Sequence, residues 1–202
     1  MKGIIFSAPM VIALLDGKKT VTRRPIKKPM PPYGIEPCWY SHAGWAEGCK
    51  DGCCSCVPFP CPYRPGETVY VKETWAQIWN QDGCLHADEA FKCPCDGCHV
   101  EYKADTGARY PADWPDDSTG DPSCPKWKSP LFMPEWAARI KLEIISVEPE
   151  RLKDITVDEC MKEGLVLPLR GGGFVTLWES IYGPGSWDAN PWVWRIEFRK
   201  SK

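Results

Sequence analysis

The sequence lacks the long apolar runs that membrane helices need. No stretch of the 202 residues approaches the roughly 20 consecutive apolar side chains of a membrane-spanning helix. The first apolar segment, GIIFSAPMVIALL, contains Pro9 and has no small-residue cleavage site. We therefore interpret it as folded protein rather than as a secretion signal, and we expect a cytoplasmic chain without a membrane contact.

The sequence also lacks a strong net charge, although its charges are unevenly distributed. The formal net charge of -2 argues against broad, nonspecific binding to duplex DNA. Residues 1–30 hold seven lysines and arginines against one acid, whereas residues 80–122 hold ten acids against three basic side chains. The basic end suits a small cationic pocket for an anionic or nucleotide ligand. The acidic insertion is a candidate surface for a protein partner.

Cysteine, in contrast, is abundant, with 12 residues. An even count fits a disulfide scaffold, but a chain of this length can bury a core without covalent cross-links. The C-x-C and C-x-x-C spacings favour thiolates that bind structural zinc in a reduced chain, with disulfides or free thiols as the alternatives. The spacing leaves open whether the cysteines close one four-thiolate site or hold one ion in each group. The expected zinc ligands are Cys49, Cys53, Cys56, Cys93, Cys95 and Cys98.

Hydrophobic periodicity predicts short strands with few helices. Helices are expected over 7–17, 155–165 and 174–183, the second with a capping box formed by Thr156 and Glu159. The four main strands are expected over 18–24, 66–76, 139–152 and 191–200. In the second of these strands, one face is expected to carry Val69, Val71, Glu73 and Trp75. This order of elements predicts an α+β fold built on a small mixed β-barrel rather than on a parallel α/β sheet.

Five segments occur in an order that resembles the ASCH-domain family, most closely its long phage and prophage branch. They are GKKTVTRR, RPGETVYVKETW, MPEWAARIKLEI, ERLKDITVDECMKEGL and GPGSWDANPWVWRIEF. The resemblance implies a single PUA-like domain over 1–202, with flanking short helices and Cys-rich insertions at about 31–62 and 77–126. It also implies a cleft for RNA or a modified nucleoside, although members of the long branch generally have no assigned activity.

One ASCH branch hydrolyses the N4-acetyl amide of acetylcytidine nucleosides, using a Lys and a Thr of a G-x-K-T-x-T-x-R strip and a Glu on the following helix. The strip is complete here from Gly17 to Arg24. The resemblance therefore implies catalytic roles for Lys19, Thr22 and Glu163. Residues expected to contact the ligand are Thr20, Arg24, Lys72, Glu73 and Trp75.

Several interpretations of this strip remain open at the level of sequence. A desolvated Lys19 would act as the base for a threonine nucleophile, or Glu163 would activate water or protonate the leaving amine. Arg24 would hold a phosphate or the developing oxyanion, and a partly buried Glu73 would pair with Arg24 or Lys19. Lys18 and Arg23 are expected to face solvent. The alternative functions are a ribonuclease, a non-catalytic RNA- or nucleotide-binding module, and a protein-interaction module of phage origin.

Overall fold

The computed structural model describes residues 1–26, 37–38, 45–47, 57–59, 61–78, 99–105, 127–165 and 173–201. Among the described residues, strands outnumber helices, which confirms the predicted α+β class. No helix within these ranges is both long and apolar enough to cross a membrane. In chain order the elements are β1 (Lys2–Ile5), α1 (Ala8–Leu15), β2 (Val21–Pro25), β3 (Pro37–Cys38), β4 (Trp45–Glu47), β5 (Val57–Phe59), β6 (Thr68–Lys72), β7 (Trp75–Ile78), β8 (His99–Tyr102), β9 (Lys141–Arg151), α2 (Val157–Lys162), α3 (Gly173–Tyr182) and β10 (Trp192–Lys200).

The chain divides into two compact units. The first is formed by Met1–Leu15 and Val69–Lys141, and the second by Asp16–Thr68 and Leu142–Ser201. In the first unit, β1 runs parallel to β6. The aliphatic stem of Lys72 lies against Gly3 so closely that a Cβ on this glycine would stand 2.5 Å from the Lys72 Cε. The missing side chain of Gly3 thus makes room for the stem.

The predicted strand over 66–76 is two strands, β6 and β7, separated at Glu73 and Thr74. The chain leaves the ladder there because the Glu73 N–H donates to the Met133 sulfur at 3.3 Å. The Thr74 carbonyl accepts from the Lys103 N–H at 3.0 Å. β7 then pairs antiparallel with β8, and Trp75 packs with Met133 in a small core. Val69, Val71, Glu73 and Trp75 are all buried, but Tyr70 and Ala76 are buried too, so the burial does not follow one face of a single strand.

The second unit contains an antiparallel sheet with the strand order β9-β10-β2, and β3, β4 and β5 form a separate three-stranded sheet. β9 has 11 residues and is the longest described strand, as predicted. Arg23 of β2 stands opposite Arg195 of β10, and Thr22 stands opposite Ile196. Because successive strand residues point to opposite faces, Arg23 and Arg195 share one face of the sheet, whereas Thr22 and Ile196 share the other.

Helices α2 and α3 contribute to the core of the second unit. The cap of α2 is confirmed, because the Thr156 hydroxyl accepts the Glu159 N–H at 3.3 Å. Gly164 follows the helix with a φ of 90°, a left-handed conformation that glycine adopts without strain. In α3 Phe174 and Trp178 are buried, whereas Ile181 is 52% exposed. The core cluster contains Leu152, Cys160, Phe174, Trp178 and Val193.

Candidate active site

Lys19 and Glu163, which the resemblance selects as catalytic, are in direct contact in the second unit. The Lys19 Nζ donates to the Glu163 Oε2 at 2.6 Å and to the Glu163 carbonyl at 2.8 Å. Their backbones form an isolated β-bridge, and the Thr20 N–H donates to the Lys162 carbonyl at 2.8 Å. The exposed fractions of the Lys19 and Glu163 side chains are 1% and 5%. The start of β2 is thus held against the end of α2 by both backbone and charge.

Burial changes the acidity of Lys19. Desolvation lowers the pKa of its ammonium group below the ordinary value of 10.5, and the attraction of Glu163 opposes this shift. The positive charges of Arg24 and Arg23 lower the pKa further. Lys19 therefore gives up its proton more readily than an exposed lysine does, which is a property required of a lysine that acts in proton transfer.

Arg23 is buried, so the prediction that it faces solvent was wrong. Its guanidinium donates to three carboxylates: from Nε to Glu150, from Nη2 to Glu159, and from Nη1 to the Glu163 Oε1 at 3.2 Å. The side chain itself is 0% exposed. Arg23 lies on the sheet face shared with Arg195, and acceptors more than a hundred residues away in sequence meet it there. Local sequence carries no signal of those acceptors.

Arg195, opposite Arg23, extends this arrangement. Its Nε donates to the Glu159 Oε1 at 2.6 Å, and its Nη1 donates to the Glu197 Oε2 at 3.2 Å. The Glu159 side chain of the predicted capping box therefore bonds the two arginines. The interconnected groups form what we term the ion cluster: Lys19, Arg23, Arg195, Glu150, Glu159, Glu163 and Glu197.

Two carboxyls of the ion cluster have opposite pKa shifts. Burial raises the pKa of Glu159, but the Arg195 hydrogen bond and the charges of Arg23 and Arg195 outweigh it, so the net pKa is lowered. For Glu150, burial prevails over the attraction of Arg23 and the pKa is raised. The difference indicates that two arginines bracket Glu159, whereas Glu150 is bonded by Arg23 alone among the described residues.

Thr22 lies on the sheet face opposite Arg23, so the geometry does not bring it to the Lys19–Glu163 pair. It is buried, 5% exposed, and stands opposite Ile196. Arg24 shares this face and is half-buried. Its charge acts on Tyr63, a residue that the sequence did not single out. Burial raises the pKa of the Tyr63 hydroxyl, and the positive charge of Arg24 only partly opposes this rise. Lys18 faces solvent as predicted, with its Nζ 2.8 Å from Asp16.

Glu73 belongs to the first unit, and its partner is Arg139 rather than the expected Arg24 or Lys19. Arg139 donates to both Glu73 oxygens, each at 2.9 Å, and to Asp105 at 2.6 Å. The guanidinium also lies 4.0 Å from the centroid of the Tyr102 ring. Burial raises the pKa of Glu73, and the hydrogen bond from Arg139 opposes that shift. Arg139 precedes β9 and lies 66 positions from Glu73, so the linear sequence did not indicate this pair.

The other two ligand residues expected from this region are engaged within the first unit. The Lys72 Nζ donates to the Leu131 carbonyl at 3.0 Å. Trp75 is 4% exposed, with the Lys128 ammonium 4.9 Å from its ring centroid and Trp136 edge-on at 6.0 Å. These contacts make Trp75 a core residue, and its role in ligand binding stays a prediction.

The cysteines expected to bind zinc lie outside the described residues, so their arrangement stays a prediction. Within the described ranges, no group of three or more His, Cys, Asp or Glu side chains is placed to hold a metal ion. Cys160 of α2, in contrast, lies within the described residues and is a buried free thiol.

Comparison of the chain with protein-family models, with curated proteins and with solved structures gives no match. The candidate site therefore depends on its own residues and their geometry.

Proposed function

We propose that this chain is an ASCH-type protein with a PUA-like barrel that binds RNA or a modified nucleoside and hydrolyses an N4-acylated cytidine-type amide. The observation that carries the proposal is the 2.6 Å contact between the Lys19 Nζ and the Glu163 Oε2. Two residues selected by resemblance alone, 144 positions apart, are bonded to each other at a buried position. In such a low-dielectric site, charge stabilises a transition state more strongly than it does in water.

The proposed chemistry uses water as the nucleophile. The Glu163 carboxylate accepts a proton from water while the water oxygen bonds to the acyl carbon. The Lys19 ammonium offsets the negative charge that develops on the carbonyl oxygen. Glu163 then returns the proton to the exocyclic nitrogen as the C–N bond breaks, which yields a carboxylic acid and the free amine. This route needs no nucleophilic threonine, in agreement with the position of Thr22 on the other sheet face.

A second candidate function is recognition of RNA or a nucleotide without turnover. The burial of the pair favours this candidate. The Lys19 and Glu163 side chains are 1% and 5% exposed, and an ion pair with a purely structural role would be buried in the same way. The excess of basic residues in the first 30 positions supports an anionic ligand in either case. Arg24, half-buried on the sheet face opposite Arg23, is the proposed phosphate contact.

The two candidates are separated by an assay of N4-acetylcytidine hydrolysis with chromatographic detection of cytidine. Lys19→Met and Glu163→Gln should each lower kcat/KM by at least about 100-fold, because each removes a group that acts in the transition state. The matched control is Glu143→Gln, which removes an exposed carboxylate paired with Arg199 and should leave turnover unchanged.

RNA affinity, measured by fluorescence anisotropy, is expected to survive both active-site substitutions. If the wild-type protein hydrolyses no acylated nucleoside but binds RNA, the non-catalytic candidate replaces the enzyme. If Glu163→Gln keeps wild-type turnover, the assignment of Glu163 as the proton-transfer group is wrong.

A further inference from the structure

We propose that Arg23 is a positioning residue of this site, which holds the Glu163 carboxylate in the orientation that faces Lys19. The inference rests on the proposed function, because it deepens the role of the same pair. Arg23 itself is not expected to touch the substrate.

The division of the two Glu163 oxygens is the first observation. Oε2 accepts from Lys19 at 2.6 Å, and Oε1 accepts from the Arg23 Nη1 at 3.2 Å. A carboxylate held at both oxygens has lost the rotation about its terminal bond. If the Arg23 contact were removed, only Lys19 would oppose that rotation, and the proton-accepting oxygen would lose its defined direction.

The second observation is that Arg23 is itself held in place. Its Nε and its Nη2 are each bonded to a further carboxylate, Glu150 on β9 and Glu159 on α2. Its side chain is 0% exposed, and Arg195 stands opposite it on β10. The planar guanidinium thus contacts three carboxylates in three directions, which the single ammonium of lysine cannot reproduce.

The two neighbouring arginines have separate tasks in this interpretation. Arg24 belongs to the strip from which the resemblance draws its functional residues, and strand alternation places it on the face opposite Arg23. Arg23 reaches Glu163, the proposed proton-transfer group, whereas Arg24 lies on the other face of the sheet.

The test is the substitution Arg23→Lys, which keeps the positive charge and removes the three-way fork. Its matched control is Arg199→Lys. Arg199 is likewise paired with a carboxylate, since two of its nitrogens donate to Glu143 at 3.0 Å each, but this pair lies at an exposed position. We expect Arg23→Lys to lower kcat on N4-acetylcytidine by about 100-fold while KM stays within about threefold. Arg199→Lys should match the wild type in both constants.

A second measurement reports on the position of Glu163 independently of turnover. It is a pH titration of the Lys19 side-chain NMR signal, which is identified by its absence from the spectrum of Lys19→Arg. The attraction of Glu163 raises the pKa of Lys19, so the midpoint should fall further in Arg23→Lys as the carboxylate turns away. It should not move in Arg199→Lys.

An unchanged Lys19 midpoint in Arg23→Lys, or a kcat within twofold of an active wild type, overturns the assignment of Arg23. If the wild type has no turnover, the proposed function is wrong, but the role of Arg23 is not yet decided. The Lys19 titration then shows whether Arg23 holds Glu163. If Arg23→Lys shows no cooperative melting transition, the double variant Arg23→Lys with Glu150→Gln takes its place. A lysine at position 23 has no equivalent of the Arg23 Nε, which donates to Glu150. The Glu150→Gln substitution removes the negative charge that would then be left without its partner.

Discussion

Residues 23 and 24 are both arginines, yet they have different environments. Arg23 is buried and donates to three carboxylates, whereas Arg24 is half-buried on the other sheet face. The difference follows from strand alternation together with acceptors that arrive from β9 and α2. Charge at a single position predicts solvent exposure, because most arginines are exposed. A fully paired buried arginine is the exception, and only the tertiary structure supplies its acceptors.

The buried charges predict that Glu163 is important for stability. Glu163→Gln leaves the Lys19 ammonium with a neutral partner at a site where only 1% of the lysine side chain is exposed. Breaking one side of a buried ion pair costs about 3–5 kcal/mol of unfolding free energy, because the remaining charge stays buried. Urea denaturation at neutral pH measures this loss.

Glu143→Gln is the control for that experiment, since the Arg199–Glu143 pair is exposed at the surface. Such pairs contribute about 0–1 kcal/mol. A loss for Glu163→Gln that is no larger than the loss for Glu143→Gln would show that the buried pair contributes little to folding.

At the scale of elements, α2 is too short to be helical by itself. It has six residues, fewer than an isolated helix needs in water. The Thr156 cap holds its start, and Glu159 and Glu163 bond it to Arg23, Arg195 and Lys19. The helix therefore depends on ion pairs with the sheet as much as on its own hydrogen bonds.

This dependence predicts a specific response to acid. The pKa of Glu159 is lowered from its ordinary 4.5, so its contribution to stability is fully present above pH 4.5. That contribution is lost as the pH falls through the folded-state pKa. Glu159→Gln lacks it, so its unfolding free energy, from urea denaturation between about pH 6 and pH 2.5, should fall less steeply with acid than that of the wild type.

Glu150→Gln is the comparison of opposite sign. The pKa of Glu150 is raised above 4.5, so its contribution is present below that pH and is lost as the pH rises through the folded-state pKa. Above pH 4.5 the unfolding free energy of Glu150→Gln should therefore rise more steeply with pH than that of the wild type. Parallel curves for the wild type and Glu159→Gln would contradict the assignment of an acid-sensitive contact to Glu159.

Elements with a strong local signal were predictable from sequence. The cap of α2, the long β9 and the final strand β10 agree with their predictions, because propensity, periodicity and capping all act locally. The break between β6 and β7 was not predictable, since it depends on Met133, 60 positions beyond Glu73. The Lys19–Glu163 contact was implied by resemblance, whereas the partners of Arg23 and Glu73 required the tertiary structure.

At the scale of the whole molecule, the described residues form two compact units, each with its own apolar cluster. The acidic, Cys-rich insertions are the parts whose composition least resembles a core. Their C-x-x-C spacings predict that zinc, rather than apolar burial, orders them, because a four-thiolate site contributes its binding free energy to folding.

Protein purified without chelator should therefore contain at least one equivalent of zinc by elemental analysis. Cys53→Ser with Cys56→Ser should lower the zinc content, because it removes one C-x-x-C pair. Cys160→Ala is the control and should keep all of the metal, since this buried thiol lies in α2 against the core. Fewer than one equivalent in the wild type would exclude structural zinc.

The pairing of β2 with β10 also has a consequence for synthesis on the ribosome. Pro25 is matched with Val193 and Val21 with Glu197, so β2 emerges about 170 residues before its partner, or roughly 10 to 30 seconds at ordinary translation rates. Arg23 gains its first acceptor only when Glu150 is translated, 127 positions later, and Val21 gains its strand partner only with Glu197. The strand that carries the basic strip is thus translated long before the strand that pairs with it. Its closure is a long-range, slow step that leaves an unpaired strand on the nascent chain for chaperones to protect.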